Sequence, residues 1–410
     1  MLTRTTLILL NPVFSTAHMR RITPLFYEAT HRPRAAISNQ IATSDDVDVL
    51  SWMGRCALEL IGKCGLGYSF DSLVENDPNV YGDALVLIPL SARLIPLSLR
   101  RLAAPWIPHE DIQSFRQLLI ILDEQSRCIC ANKKAAIAEG DEAVISRVNE
   151  GADILSVLMK ANIEASDEDR LPENETIAQI SSLTLAGTWM DTTSNALARV
   201  FHLLSEYPNV QDKFRAELLS ASVDGAGIPY ELLHELPYLD AVCRETLVPP
   251  PFCRYPPVTF MNRECVDTRI LISSRLMLTG MDGGTRADIV MPLFTPIQGL
   301  DGTKIIEIPA GEDALVWRPE RWLKPALEAL PEARVPGIYS QLMTFLGGGR
   351  ACIGFKFSQT EMKTVLSVLL QSFRFSASDK EIYWNMAAAY HPTVGRNSSK
   401  PAMYLKVEAV

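Results

Sequence analysis

One stretch, Phe345-Leu346-Gly347-Gly348-Gly349-Arg350-Ala351-Cys352-Ile353-Gly354, gathers residue types that could do chemistry and leads into a segment with helical apolar spacing. A cysteine at a helix start meets unpartnered backbone N–H groups and the positive end of the helix dipole, and both favour the thiolate. Thiolate is the form that ligates metal. Gly348 and Gly354 let backbone lie against a flat ligand where a Cβ would clash. Arg350 is a permanent cation suited to a nearby carboxylate. For a lone cysteine the ordinary alternative is a buried structural residue in a glycine-rich turn. Here Phe345, Gly348, Arg350, Cys352 and Gly354 coincide at fixed spacing.

That spacing, F-x-x-G-x-R-x-C-x-G, resembles the haem-binding loop of the cytochrome P450 family. Other segments are similar to family motifs, with a fungal microsomal flavour. Trp317-Arg-Pro-Glu-Arg321-Trp322 resembles the PERW segment. Ala186-Gly187-Thr188 and Asp191-Thr192-Thr193 resemble the oxygen-activating motif of the long central helix. Glu235 to Leu247 resembles the helix that carries E-x-x-R. The resemblance implies a haem iron with Cys352 as axial thiolate, which pushes electron density toward O–O cleavage. It implies Arg350 on a haem propionate, Phe345 packed beside the sulfur, and Asp191 with Thr192 delivering protons to bound oxygen. Glu245 and Arg321 are expected in a buried ion pair of structural use. The implied partners are O₂, a small apolar organic substrate, and a reductase that supplies electrons from NADPH.

The chain departs from the family pattern in four places. Trp189-Met190 splits the central-helix motif; two extra residues turn the Asp191-Thr192-Thr193 part by about 200° along a helix. Val248 stands where E-x-x-R needs arginine, and three prolines follow before Arg254. Cys265 to Ala287 reads as foreign to its surroundings, with family-like text resuming at Asp288, whereas Pro309 to Trp317 is too short for the strand pair the family places there. The family's front portion, with its membrane anchor, is expected to be absent. These departures suggest mis-joined coding segments, and they keep open an inactive haem-binding remnant as the alternative to a working enzyme.

Most of the chain reads as helix. Asp46–Ile61, Ile112–Ala138, Thr176–Leu204, Val210–Leu219, Pro237–Leu247 and about Ile353–Phe373 carry apolar residues at helical spacing. Cys128 and Cys130 point about 200° apart on their helix, which suits two inert core thiols and not a shared metal. Gly140–Asn149 and Ala165–Glu175 read as polar connectors. Past Val248 the sequence turns proline-rich and β-branched, as short strands and loops do; a β-rich tail closes the chain. The expected fold is mainly α with a small β portion, α+β, in one P450-like domain over residues 1–410.

The 410 residues carry 39 Lys+Arg against 48 Asp+Glu, a net charge of −9. Acidic balance without basic runs argues against nucleic acid as a partner. The 8 cysteines are too sparse for a disulfide scaffold and fit a reducing compartment. No stretch approaches the roughly 18–20 apolar residues of a spanning helix. Relatives of the resembling family sit at the endoplasmic reticulum membrane. For this chain a cytoplasmic or peripheral place is expected, with Ala84–Trp106 the candidate for membrane contact.

Overall fold

Ser15 opens the first long helix by accepting a hydrogen bond from the His18 backbone N–H at 3.3 Å, which supplies one of the partners a helix start lacks. The computed structural model describes residues 11–44, 46–70, 106, 110–139, 142, 153–164, 170–188, 191–222, 227–247, 289–292, 305–308, 317–323, 338–339, 342, 344–345, 351–386, 390–396, 398 and 400–410. Contacts divide the chain into two units, Met1–His234 with Lys356–Val410, and Glu235–Phe355.

The larger unit holds helices α1 (Thr16–Ile41), α2 (Val49–Leu60), α3 (Glu110–Ala138), α4 (Ile154–Glu164), α5 (Glu173–Thr188), α6 (Asp191–Glu206), α7 (Pro208–Ala221) and α8 (Tyr230–Glu235), the last reaching the unit boundary. A π-helical stretch, Ile61–Leu66, continues α2. Helices α9 (Pro237–Leu247) and α10 (Phe355–Ser372) come next in chain order. The strands are β1 (Asp46–Asp48), β2 (Ile289–Pro292), β3 (Ile305–Ile308), β4 (Phe373–Ala377), β5 (Ile382–Met386), β6 (Tyr390–Val394) and β7 (Tyr404–Ala409). Strands β1, β7 and β4 pair antiparallel in that order, and β5 with β6 forms an antiparallel hairpin. In the smaller unit β2 pairs antiparallel with β3.

Sequence periodicity does not predict helix α1, because Pro24 and Pro33 lie inside it and interior prolines remove backbone donors. Its buried face, with Met19, Ile22, Phe26 and Ile37, packs against the core and overrides that cost. Tyr27 adds a tether: its hydroxyl donates to the Ile228 carbonyl at 2.9 Å and accepts from the Ile228 N–H at 3.0 Å. Gly227 beside it has φ +83°, and a Cβ there would come 3.1 Å from the Tyr27 ring. The apolar segment read as Thr176–Leu204 is two helices, α5 and α6, with Trp189-Met190 outside the described residues. Cys130 is buried as expected, but Cys128 is exposed on the opposite face of α3. Two core thiols is therefore corrected to one: side chains two apart on a helix cannot share a face.

Polar side chains fasten the ends of elements. Gln211 on α7 donates to the Phe375 carbonyl at 2.9 Å and accepts from the Phe375 N–H at 2.9 Å, fixing β4. Arg215 donates to the Leu370 carbonyl at 2.7 Å and to that of Phe373, serving acceptors at the C-terminal end of α10. Of the segment expected to touch a membrane, residues 84–105 lie outside the described residues, as do residues 265–287. Among the described residues no helix is long and apolar enough to cross a membrane.

Glu361 on α10 is 2% exposed, and its Oε1 is buried without a hydrogen-bond partner among the described residues. Burial pushes its carboxyl up from 4.5 to about 8. A raised carboxyl holds its proton more tightly folded than unfolded. Its contribution to stability is thus full below about 4.5 and is lost as pH rises through about 8. Melting temperature is expected to fall across that window in the parent chain, and Glu361→Gln should flatten the fall and melt higher at the alkaline end. Circular dichroism melts at stepped pH check this; an unchanged slope in the variant contradicts it.

Candidate functional site

In the Glu235–Phe355 unit, Pro237 starts α9, where its missing N–H costs nothing. The helix ends with Glu245 buried at 2% exposure. A carboxylate out of water needs donors, and one short segment supplies them. The Arg318 backbone N–H donates to Glu245 Oε1 at 3.1 Å, and Trp322 Nε1 donates to Oε2 at 2.7 Å. Arg321 Nε stands 3.0 Å from Oε2. The expected Glu245–Arg321 pair is formed, with an indole and a backbone amide that spacing alone did not reveal. The Pro319–Trp322 turn is held to α9 twice more: Tyr238 donates to Glu320 Oε1 at 2.9 Å, and Trp317 Nε1 to Thr246 Oγ1 at 3.2 Å. Val248 and Arg254 lie outside the described residues.

Thr344 donates to the Leu247 carbonyl at 2.9 Å, which anchors the start of the cysteine loop to the end of α9. Phe345 packs in a ring cluster, 4.9 Å from Phe355 and 5.8 Å from Tyr339 between centroids. The Cys352 N–H donates to the Phe345 carbonyl at 2.9 Å, and the Phe355 N–H to the Cys352 carbonyl at 3.3 Å. Phe345 and Cys352 are thereby brought together. Gly348 and Arg350 lie outside the described residues.

Cys352 is unpaired and exposed. Although solvent reaches it, desolvation by the protein around the sulfur pushes its thiol above the ordinary value, while the Gly354 N–H on the sulfur pulls it down. The expectation that a helix start alone favours the thiolate is corrected here. Helix α10 begins at Phe355; among the described residues one backbone N–H, that of Gly354, serves the sulfur, and burial outweighs it.

The donor set itself tests what could bind. Among the described residues no group of three His, Cys, Asp or Glu is placed to hold a bare metal ion. A single accessible sulfur suits a metal that brings its other ligands with it. A Cβ at Gly354 would meet only Cys352 Sγ, at an ordinary 4.0 Å. Among the described residues no other atom comes within 4 Å of that position, which a flat group beside the sulfur requires. These residues fit a haem.

Asp191 and Thr192 begin α6 in the other unit, and Thr192 is exposed. Their neighbours are the residues that engage the interior. Thr193 is buried, its Oγ1 3.0 Å from Ser358 Oγ. Asn195 is 4% exposed, and both its side-chain polar atoms lack partners among the described residues. Asn195 does not stand out in the sequence, and Thr193 does so only within the Asp191-Thr192-Thr193 segment, because Thr and Asn on a helix are ordinarily solvated or capping.

Glu245→Ala should leave Arg321 and the Trp322 N–H facing a vacated acceptor, a loss of about 3–5 kcal/mol for a buried pair broken on one side. Glu245→Gln, which keeps an acceptor oxygen, should lose less. Urea midpoints of the two variants check the order; equal midpoints to the parent contradict it.

Comparison with known proteins adds the lineage. Residues 4–266 and 312–390 match the family described as Cytochrome P450. The break in that match spans most of the segment set apart at Cys265–Ala287. The chain is 46% identical to Cytochrome P450 monooxygenase 91 of Postia placenta, over 98% of this chain and 76% of that protein. It is 44% identical to Cytochrome P450 monooxygenase 81 of the same fungus, over 97% of this chain and 74% of that protein. It is 41% identical to Ganoderic acid synthetase CYP5150L8 of Ganoderma lucidum, over 98% and 76% respectively. Such identity over nearly the whole chain, on a mainly helical α+β fold with an accessible cysteine before α10, settles the family: the chain belongs to the cytochrome P450 family and is an oxidoreductase of the P450 type.

Proposed function

We propose that the chain is a haem-thiolate monooxygenase that inserts one oxygen atom of O₂ into a small apolar organic substrate, with electrons from an NADPH-dependent reductase. The observation that carries this reading is Cys352: an accessible, unpaired thiol with the Gly354 N–H on its sulfur, inside the family-matched residues. When bound, haem supplies the chemistry that activates dioxygen. The protein's own part is to hold it, shape the space beside it and move protons.

Cys352 would hold the iron, and Phe345, tied to it through the backbone, would limit water at the sulfur. Arg350 would pair with a propionate; Gly348 and Gly354 would let the macrocycle lie close. Thr192 would hold a water by its hydroxyl and Asp191 would replenish its proton. Asn195, buried with an unpartnered amide less than one turn away, offers a further place for that water. The reading of the chain as a single P450-like domain rests on the family match over residues 4–266 and 312–390. The substrate class rests on resemblance, and one relative is named for ganoderic acid.

The reduced, CO-bound spectrum tests the ligand. The haem-loaded parent should show the red-shifted Soret band of thiolate ligation, and Cys352→Ala should lose it. A parent without that band, or a variant that keeps it, overturns the assignment. Substrate-dependent NADPH consumption with a partner reductase then tests turnover.

A further inference from the structure

Beside the cysteine loop the smaller unit buries two oxidisable side chains, each with a carboxylate at its acidic hydrogen. Tyr339 is 4% exposed and its hydroxyl lies 3.4 Å from Asp240 Oδ1. Trp322 is 8% exposed and its indole N–H donates to Glu245 Oε2 at 2.7 Å. Arg244 lies between them, its guanidinium carbon 4.9 Å from the Tyr339 ring centre and 5.9 Å from that of Trp322. Arg244 also pairs with Asp240 at 2.5 Å, which fixes the carboxylate beside the phenol.

These groups connect to the cysteine. The Tyr339 ring contacts Phe345 at 5.8 Å and Phe355 at 5.3 Å. Phe345 accepts the Cys352 N–H through its carbonyl. Within this three-ring cluster Tyr339 alone can give up an electron readily, because loss of its hydroxyl proton leaves a neutral radical. Phenylalanine has no such proton. Between the two oxidisable rings, Tyr339 is the one in contact with the Phe345 side of the unit.

We infer that Tyr339 is a redox-active side chain that supplies an electron to an oxidised centre held at Cys352, with Asp240 taking its proton. The inference rests on the haem-thiolate reading above. A peroxide, or O₂ with reductase electrons, is the oxidant and leaves the centre short of electrons when no substrate is present. One electron then passes from the Tyr339 ring to that centre. The phenolic O–H bond breaks and its proton goes to Asp240, which leaves a neutral phenoxyl radical and a centre reduced by one equivalent. A reductase electron and return of the proton restore the phenol. The step gives uncoupled oxidising equivalents a path away from the cysteine loop.

The test mixes the haem-loaded, substrate-free full chain with hydrogen peroxide, freezes it within milliseconds and records the electron paramagnetic resonance spectrum. The parent should show a tyrosine radical whose lines narrow when the protein is made with ring-deuterated tyrosine. Tyr339→Phe should lose that signal. Asp240→Asn, which keeps the ring but removes the proton acceptor, should lower its yield, and it stands in if Tyr339→Phe does not fold. The CO-bound spectrum of each sample is read first. Absence of the thiolate band in the parent overturns the haem reading and this inference with it. A parent that shows the band but gives no radical, a signal that deuterated tyrosine does not narrow, or a tyrosine radical of parent yield in the variants overturns this inference alone.

Discussion

A carboxylate removed from water must be met by donors at fixed positions, and at Glu245 that requirement organises the 235–355 unit. Its oxygens are served by Arg318, Arg321 and Trp322, all from one segment of six residues, 317–322. A donor set so compact cannot drift along α9, because any shift unpairs a buried charge at a cost of several kcal/mol. The turn therefore has one place, and the rings packed on it inherit that place. The ring of Trp322 sits in a cluster with Ala241, Tyr339 and Leu342, and Phe345 and Phe355 pack on its edge. The start of the cysteine loop is thus packed on a cluster that the Glu245 pairs hold in place.

The same physics is solved differently in the larger unit. Asp153 caps α4 by accepting from the Ser156 N–H at 2.8 Å and meets Lys133 at 2.7 Å, and Gly67 opposite has no room for a side chain, since a Cβ would come 2.5 Å from Asp153 Oδ2. Glu59, with a fully buried side chain, takes Arg32 at 2.6 Å, Ser69 at 2.6 Å and the Phe70 N–H at 3.0 Å. Among the described residues Glu361 Oε1 has no donor, and burial raises its carboxyl, which favours the protonated form. Glu245, Asp153 and Glu59 are matched by donors; Glu361 is matched by a proton.

How much of this could be read from the sequence depends on where each partner lies. The contacts of Phe345, Cys352 and Gly354 are legible in the sequence because they are local, made between residues close along the chain. The Glu245–Arg321 pair came by resemblance, and no spacing rule could reach it across the long separation between α9 and the Pro319–Trp322 turn. Trp322 as a ligand of that carboxylate was hidden for the same reason. Helices with clean periodicity appeared where expected, Pro237–Leu247 to the residue. Helix α1 did not, because proline speaks against a helix locally while its burial is decided by partners in α2 and the 227–229 turn. Asp191 and Thr192 were drawn by motif, whereas the burial that singles out Thr193 and Asn195 exists only once α6 is packed.

The thiol of Cys352 sharpens what the loop can do alone. Burial disfavours the thiolate, and one N–H from Gly354 only moderates that. A protein meant to keep a bare nucleophilic thiolate would place cations or several amides at the sulfur. Here the described residues supply a single amide, that of Gly354. Such an environment suits a sulfur whose charge is neutralised by what it binds, since metal ligation replaces the proton directly.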